Sequence, residues 1–240
     1  MLRILLNVPI ALEGSRDGLD TGGHFIVSNH LGYLDGIVLG SLFPVVFVTK
    51  LQVKRWPVIG QLLTLLETIF VDRENKNDIL RVVNRISKTL RKETNVLVFP
   101  EGTSTNGEKL LPFQSTFFAA PLMAHAAVVP VTLIYKFVDQ QPVSAVNRDR
   151  IYWYGDMSFA PHLWDLLGAS RIEVSVKIHP AIETAKLQND SLGRKRLSQA
   201  CYDIIAGSKV GNREETRSAA AIPRSSASSP VLRRSGWSDF

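Results

Sequence analysis

Short runs of consecutive apolar residues recur along this 240-residue chain, each giving way to a polar cluster. The runs fall at His24–Val27, Val45–Thr49, Ile69–Val71, Val96–Phe99 and Val128–Tyr135. Segments of helix length separate them: Gly36–Phe43, Pro57–Leu66, Asp78–Lys92 and Phe113–Ala127, the last interrupted by Pro121. Apolar runs of this length are buried strands, and strands alternating with helices predict an α/β fold, a largely parallel mixed sheet flanked by helices. Leu5–Leu12 reads as a first strand weakened by Pro9, and Glu13–Gly23 as a turn region. Arg171–Ile178 alternates cleanly and is expected to be a half-exposed or edge strand. Leu192–Ala206 reads as a basic helix. Beyond Gly207 the chain is rich in Ser, Ala, Arg and Pro, so residues 1–206 are expected to be the domain and 207–240 a disordered tail.

Charge points to an anionic partner. The chain carries a net +6 with a pI near 9.5. The tail from Gly207 holds six basic and three acidic residues, so half of that excess lies outside the expected domain. The most amphipathic helix is Asp78–Lys92, with Ile79, Val82, Val83, Ile86 and Leu90 on one face and Arg81, Arg85, Lys88, Arg91 and Lys92 elsewhere. Its basic face could lie on a membrane, but a crossover helix packed on the sheet is the favoured reading. Nucleic-acid binding is weakly supported, because the basic residues are not interleaved with aromatics in any recognised module.

Cysteine and histidine usage narrows the chemistry. Cys201 is the single cysteine, so no intramolecular disulfide can form, and its apolar neighbours suggest a buried structural thiol. The five histidines (His24, His30, His125, His162, His179) lack ligand spacing, and no metal site is expected. No stretch reaches the ~18 apolar residues of a membrane span, and Met1–Leu6 is too short for a signal peptide or anchor. A cytoplasmic, peripherally membrane-bound protein is the expectation.

The richest chemistry lies in Ser28-Asn29-His30-Leu31-Gly32-Tyr33-Leu34-Asp35, between a strand and a helix. Four intervening residues let the chain turn so that the Asp35 carboxylate meets one imidazole nitrogen of His30. The other nitrogen is then an acceptor for a hydroxyl proton. An exposed histidine and a helix-capping aspartate would give the same letters. Further along come Ile69-Phe70-Val71-Asp72-Arg73 and Phe99-Pro100-Glu101-Gly102-Thr103. In that order and spacing, over roughly Leu5–Ile182, these stretches resemble the glycerolipid acyltransferases of the lysophosphatidate acyltransferase type. The apolar run around Pro130 resembles that family's fourth motif.

The resemblance implies acyl transfer from a thioester, acyl-CoA or acyl carrier protein, to the free hydroxyl of a lysolipid, most simply 1-acylglycerol-3-phosphate. It implies His30 as the base, Asp35 as its orienting acid, and no cofactor beyond the thioester co-substrate. Substrate contacts are expected at Arg73, Glu101, Gly102, Thr103, Lys50 and Asn29, with Arg73 on the acceptor's phosphate. An acid beside an anionic headgroup is repelled, so Glu101 is expected either to pair with Arg73 or Lys50 and order the pocket or to touch the acceptor. Lys50 is a second cation or a surface lysine. Backbone N–H groups near Gly32 or Gly102 are candidate oxyanion donors. After Phe113 the phosphatidate-forming relatives commonly carry a basic residue and a glycine. This chain has Gln114-Ser115-Thr116, which keeps other lysolipids, lyso-ornithine lipid included, in play. A serine acyl-enzyme is disfavoured: no Gly-x-Ser-x-Gly elbow occurs, and Ser104 has the wrong spacing. A peripheral membrane-binding protein without activity is the competing class.

Overall fold

The computed structural model describes residues 7–56, 59–72 and 74–221, the last eleven as a backbone path. Its strands are β1 (Ile10–Glu13), β2 (Phe25–Ser28), β3 (Val45–Lys50), β4 (Ile69–Val71), β5 (Asn95–Val98), β6 (Val128–Val138), β7 (Gln141–Pro142) and β8 (Ile172–Ile178). Among the described residues they form one sheet ordered β1-β8-β6-β2-β5-β3-β4, with β7 paired antiparallel to β6. The block β6-β2-β5-β3-β4 is parallel throughout. Antiparallel pairing enters at β8 on β6, and β1 runs parallel to β8. The sheet is thus the largely parallel, mixed one that the sequence predicts.

Helices α1 (Tyr33–Leu42), α2 (Ile59–Leu65), α3 (Lys76–Leu90), α4 (Ala119–Ala124), α5 (Phe159–Leu167) and α6 (Ser191–Ala221) cover both faces. Successive side chains of a strand point to opposite faces, so each parallel strand feeds two cores. On one face Ile26, Leu97, Val131 and Leu133 pack against Leu34, Val38 and Leu39 of α1. On the other, Phe25, Val27, Val96 and Val98 meet Val82, Val83, Ile86 and Leu90 of α3, and Leu197, Cys201 and Ile205 of α6. Helix α3 is therefore a packed crossover helix. Its Asn75 cap accepts from the Asn77 and Asp78 N–H groups (3.0 and 3.4 Å). Val82 and Ile86 are fully buried, each stabilising the fold by about 1.5–3 kcal/mol. The Cys201 thiol is also fully buried, and burial pushes its pKa up to about 12.

Three expectations change. The 172–178 strand is interior, because β1 pairs along its outer side; its Ile172, Val174, Val176 and Ile178 face is buried. Helix α6 runs on to Ala221, past the Ala206 boundary, since Arg213-Glu214-Glu215 and Ala219-Ala220-Ala221 are good helix formers. Residues 222–240 lie outside the described ones. The Phe113–Ala127 segment becomes a 3-10 turn (Ser115–Phe118) leading into α4, with Pro121 in the first turn, where its missing N–H is not needed. The parallel strands share one carboxyl edge, from which the loops after β2, β3, β4 and β5 all emerge. Open α/β sheets bind ligands at that edge.

Candidate active site

Where β2 ends, the chain turns sharply into α1. Asn29 is fully buried, its amide donating to the Leu133 carbonyl and accepting the Leu133 N–H, both at 2.9 Å. It stitches the turn to β6, its side-chain amide engaged inside the protein. His30 comes next, held through its backbone on both sides. Its N–H donates to Glu101 Oε1 (2.7 Å) and its carbonyl accepts the Thr105 N–H (3.0 Å). The imidazole stacks on Phe99, ring centroids 4.1 Å apart.

The His30 Nδ1 lies 2.8 Å from Asp35 Oδ2, the ring 22% exposed and the carboxylate fully buried. Asp35 sits in the first turn of α1 and reaches back to the N–H groups of Leu31 (2.5 Å) and Gly32 (2.9 Å) through the same oxygen. Its Oδ1 accepts the Tyr135 hydroxyl at 2.8 Å. A buried carboxylate is costly unless its lone pairs are satisfied, and four donors satisfy this one. The two readings of the motif thus coincide: Asp35 caps the helix and orients the histidine. With Asp35 accepting at Nδ1, the neutral ring carries its proton there and Nε2 is the acceptor. No described residue bonds Nε2. Gly32 is required by crowding, since a Cβ there would stand 2.8 Å from the Trp153 backbone nitrogen.

Glu101 is buried and accepts backbone N–H groups with both oxygens, from His30 (2.7 Å) and Leu111 (2.9 Å). Burial raises its pKa; the two N–H bonds and the charges of Lys209 and His30 oppose that rise. These two peptide partners tie the β5 loop to the β2 turn. Gly102 is buried and its N–H donates to the Phe99 carbonyl (3.1 Å), while the Gly32 N–H serves Asp35. The N–H groups of Gly32 and Gly102 themselves are thus engaged inside the protein. Thr103 is exposed on the same loop, and Lys50 is exposed as the last residue of β3. Arg73 lies outside the described residues.

Aromatic residues build the neighbouring wall. The Tyr33 hydroxyl donates to His162 Nδ1 (2.8 Å), and His162 Nε2 donates to the Tyr152 carbonyl (2.9 Å). Burial lowers the His162 pKa and raises that of Tyr33, which keeps both neutral. Trp56 packs on Trp153 and Phe159, and both of those pack on Tyr33. A hollow beside Leu31 is lined by Gly107, Leu133, Ile134, Tyr152 and Lys209. The residue that sequence reading passes over is Tyr135. Its only signal is a phenol in a mostly apolar strand.

A histidine braced by a buried acid stands at the carboxyl edge of an α/β sheet, the edge where such sheets bind ligands. The chain belongs to the Acyltransferase family, whose sequence model matches residues 10–134, and it is an acyltransferase. It is 28% identical over 236 residues to the lyso-ornithine lipid O-acyltransferase of Rhizobium meliloti (strain 1021), covering 95% of this chain and 80% of that one. The Rhodobacter capsulatus enzyme of the same name is 33% identical over 187 residues, covering 75% of this chain and 63% of that one. The 1-acyl-sn-glycerol-3-phosphate acyltransferase of Neisseria meningitidis serogroup B is 24% identical over 204 residues, with 85% and 78% covered. Among solved structures, PlsC, the 1-acyl-sn-glycerophosphate acyltransferase of Thermotoga maritima, superposes with a TM-score of 0.62 at 16% identity, covering 86% of this chain and 73% of that one. That likeness supports the fold; the resemblance to lysophosphatidate-type acyltransferases is borne out by the family match and the relatives together.

Proposed function

We propose that this acyltransferase moves a fatty acyl group from a thioester, of coenzyme A or of acyl carrier protein, to the free hydroxyl of a lysolipid. The observation that carries the reading is the 2.8 Å contact between His30 Nδ1 and the buried Asp35. His30 Nε2 takes the hydroxyl proton as the oxygen attacks the thioester carbonyl. The tetrahedral intermediate then collapses, expelling the thiolate, which recovers the proton from the imidazolium. General-base help of this kind is typically worth about 10²- to 10⁴-fold. The route calls on no group beyond the thioester and the lipid alcohol.

For the acceptor, lyso-ornithine lipid is the first reading. Relatives of that name reach 28–33% identity over 70–95% of this chain, against 24% over 84–85% for the neisserial glycerophosphate enzymes and 30–31% over only 54% for those of Limnanthes. The uncharged Gln114-Ser115-Thr116 agrees, because a phosphomonoester favours a cation nearby. The second reading, 1-acylglycerol-3-phosphate giving phosphatidic acid, is favoured by the Ile69–Arg73 motif. A lipid acceptor also implies work at a bilayer surface. No described helix is long and apolar enough to cross a membrane. Exposed Leu51, Leu65 and Leu66 beside exposed Lys54 and Arg55 support peripheral contact with an anionic membrane.

The test is a turnover assay with one long-chain acyl thioester and both lysolipids. His30→Ala is expected to lower turnover by about 10²- to 10⁴-fold with unchanged circular dichroism. Failure of the wild type to acylate any lysolipid overturns the reading, and full activity in His30→Ala removes the base.

A further inference from the structure

Tyr135 is a tyrosine with one evident job. It lies in β6, is 3% exposed, and sends its hydroxyl 2.8 Å from Asp35 Oδ1. A carboxylate only accepts, so the phenol donates. Burial and the adjacent Asp35 charge raise the phenol's pKa well above its ordinary value, which favours the protonated, donating form. Pairing of β6 with β8 is regular up to Tyr135 opposite Val174 and then shifts before Phe137. Irregularities of this kind re-aim side chains beside active sites. The other oxygen, Oδ2, already serves His30, Leu31 and Gly32. The Tyr135 hydroxyl is thus the donor that holds Oδ1.

We propose that Tyr135 is a positioning residue of the dyad: by fixing Asp35 Oδ1 it keeps Oδ2 aimed at His30 Nδ1 and weakens the hold of Asp35 on the imidazolium. This rests on His30 being the base. A carboxylate that has lost a donor is a stronger acceptor, so the pair binds its proton more tightly and the free base becomes scarcer at a given pH. The other titratable or charged groups around the pair are Glu101, bonded to the His30 backbone, with Lys209 acting on it, and Tyr33 and Tyr152 near Tyr135. None of these is removed by the substitution.

The experiment is a ¹⁵N NMR titration of the histidines in wild type and Tyr135→Phe, with the His30 signals identified by their loss in His30→Gln. The His30 midpoint is expected to rise by about half a unit to one unit in Tyr135→Phe. In parallel, the acid limb of kcat/KM moves to higher pH and kcat falls about tenfold with KM unchanged. Tyr33→Phe removes a phenol bonded to His162 instead and is expected to leave the His30 midpoint in place. An unmoved midpoint in Tyr135→Phe, or an equal shift in Tyr33→Phe, overturns the proposal. Should Tyr135→Phe not fold, fluorotyrosine incorporated at position 135 carries the test: a more acidic phenol donates more strongly, so the midpoint must fall, and a rise or no change overturns it. The titration needs no turnover. An enzyme inactive on every lysolipid would sink the proposed function and leave this reading standing or falling by itself.

Discussion

Two buried acids stand beyond the ends of adjacent parallel strands, Asp35 after β2 and Glu101 after β5, and the molecule uses them differently. Asp35 accepts from a ring nitrogen, a phenol and two backbone N–H groups. Glu101 accepts from backbone N–H groups on two loops, one with each oxygen. The first acid faces an imidazole, a ring that can gain a proton, so its charge acts on a titratable group. The second faces peptides, which cannot, so it bears on shape. Sequence position alone makes the two look alike; the identity of their donors separates them.

The sharpest way to break this contrast is Asp35→Asn. The amide keeps the volume and removes the charge that stabilises the imidazolium, so kcat is expected to fall about 10²- to 10⁴-fold, measured by steady-state turnover, with the fold retained. A loss no greater than that of Glu101→Gln would erase the distinction between the acids. Glu101→Gln is the counterpart. One of its two N–H partners must then face an NH₂ group, costing about 1–3 kcal/mol of stability in urea unfolding. The pH dependence has a definite sign. Burial raises the Glu101 pKa in the folded state. Its contribution is therefore fully present below the ordinary glutamate pKa and is lost as pH rises through the raised folded value. The stability gap between wild type and Glu101→Gln should accordingly narrow from acid toward neutral pH, and a gap that widens would place the charge of Glu101 in a favourable ion pair. The smallest effect concerns whether a third strand end joins the site. If Arg73 holds an anionic headgroup, Arg73→Ala raises the acceptor KM about tenfold, on the order of 1.4 kcal/mol. An unchanged constant makes that arginine structural.

Much of this is legible in the chain because parallel strands are buried on both faces and announce themselves as short apolar runs. The Asp78–Lys92 face shows its periodicity for a related reason: one side meets the sheet and the other meets water. His30 and Asp35 are legible because their contact spans five residues, a local turn. What stays hidden depends on partners far along the chain. Asn29 looks like a ligand residue, yet its amide is engaged by Leu133, 104 positions away. Strand β8 looks like an edge until β1, near the start of the chain, covers it. Tyr135 reads as one more strand aromatic until folding sets its hydroxyl on Asp35, 100 positions back. The extension of α6 escapes for a different reason: a composition rich in Ser, Arg and Ala suggests a tail, although its middle favours helix.

The peptide groups of residue 30 are gripped by a loop that the chain makes 71 to 75 positions later. A polypeptide cut before Glu101 would keep every letter of the first motif, and the backbone that carries its imidazole would lose both of those clamps. The geometry of this turn therefore depends on long-range closure, and it is complete only when distant halves of the domain have met.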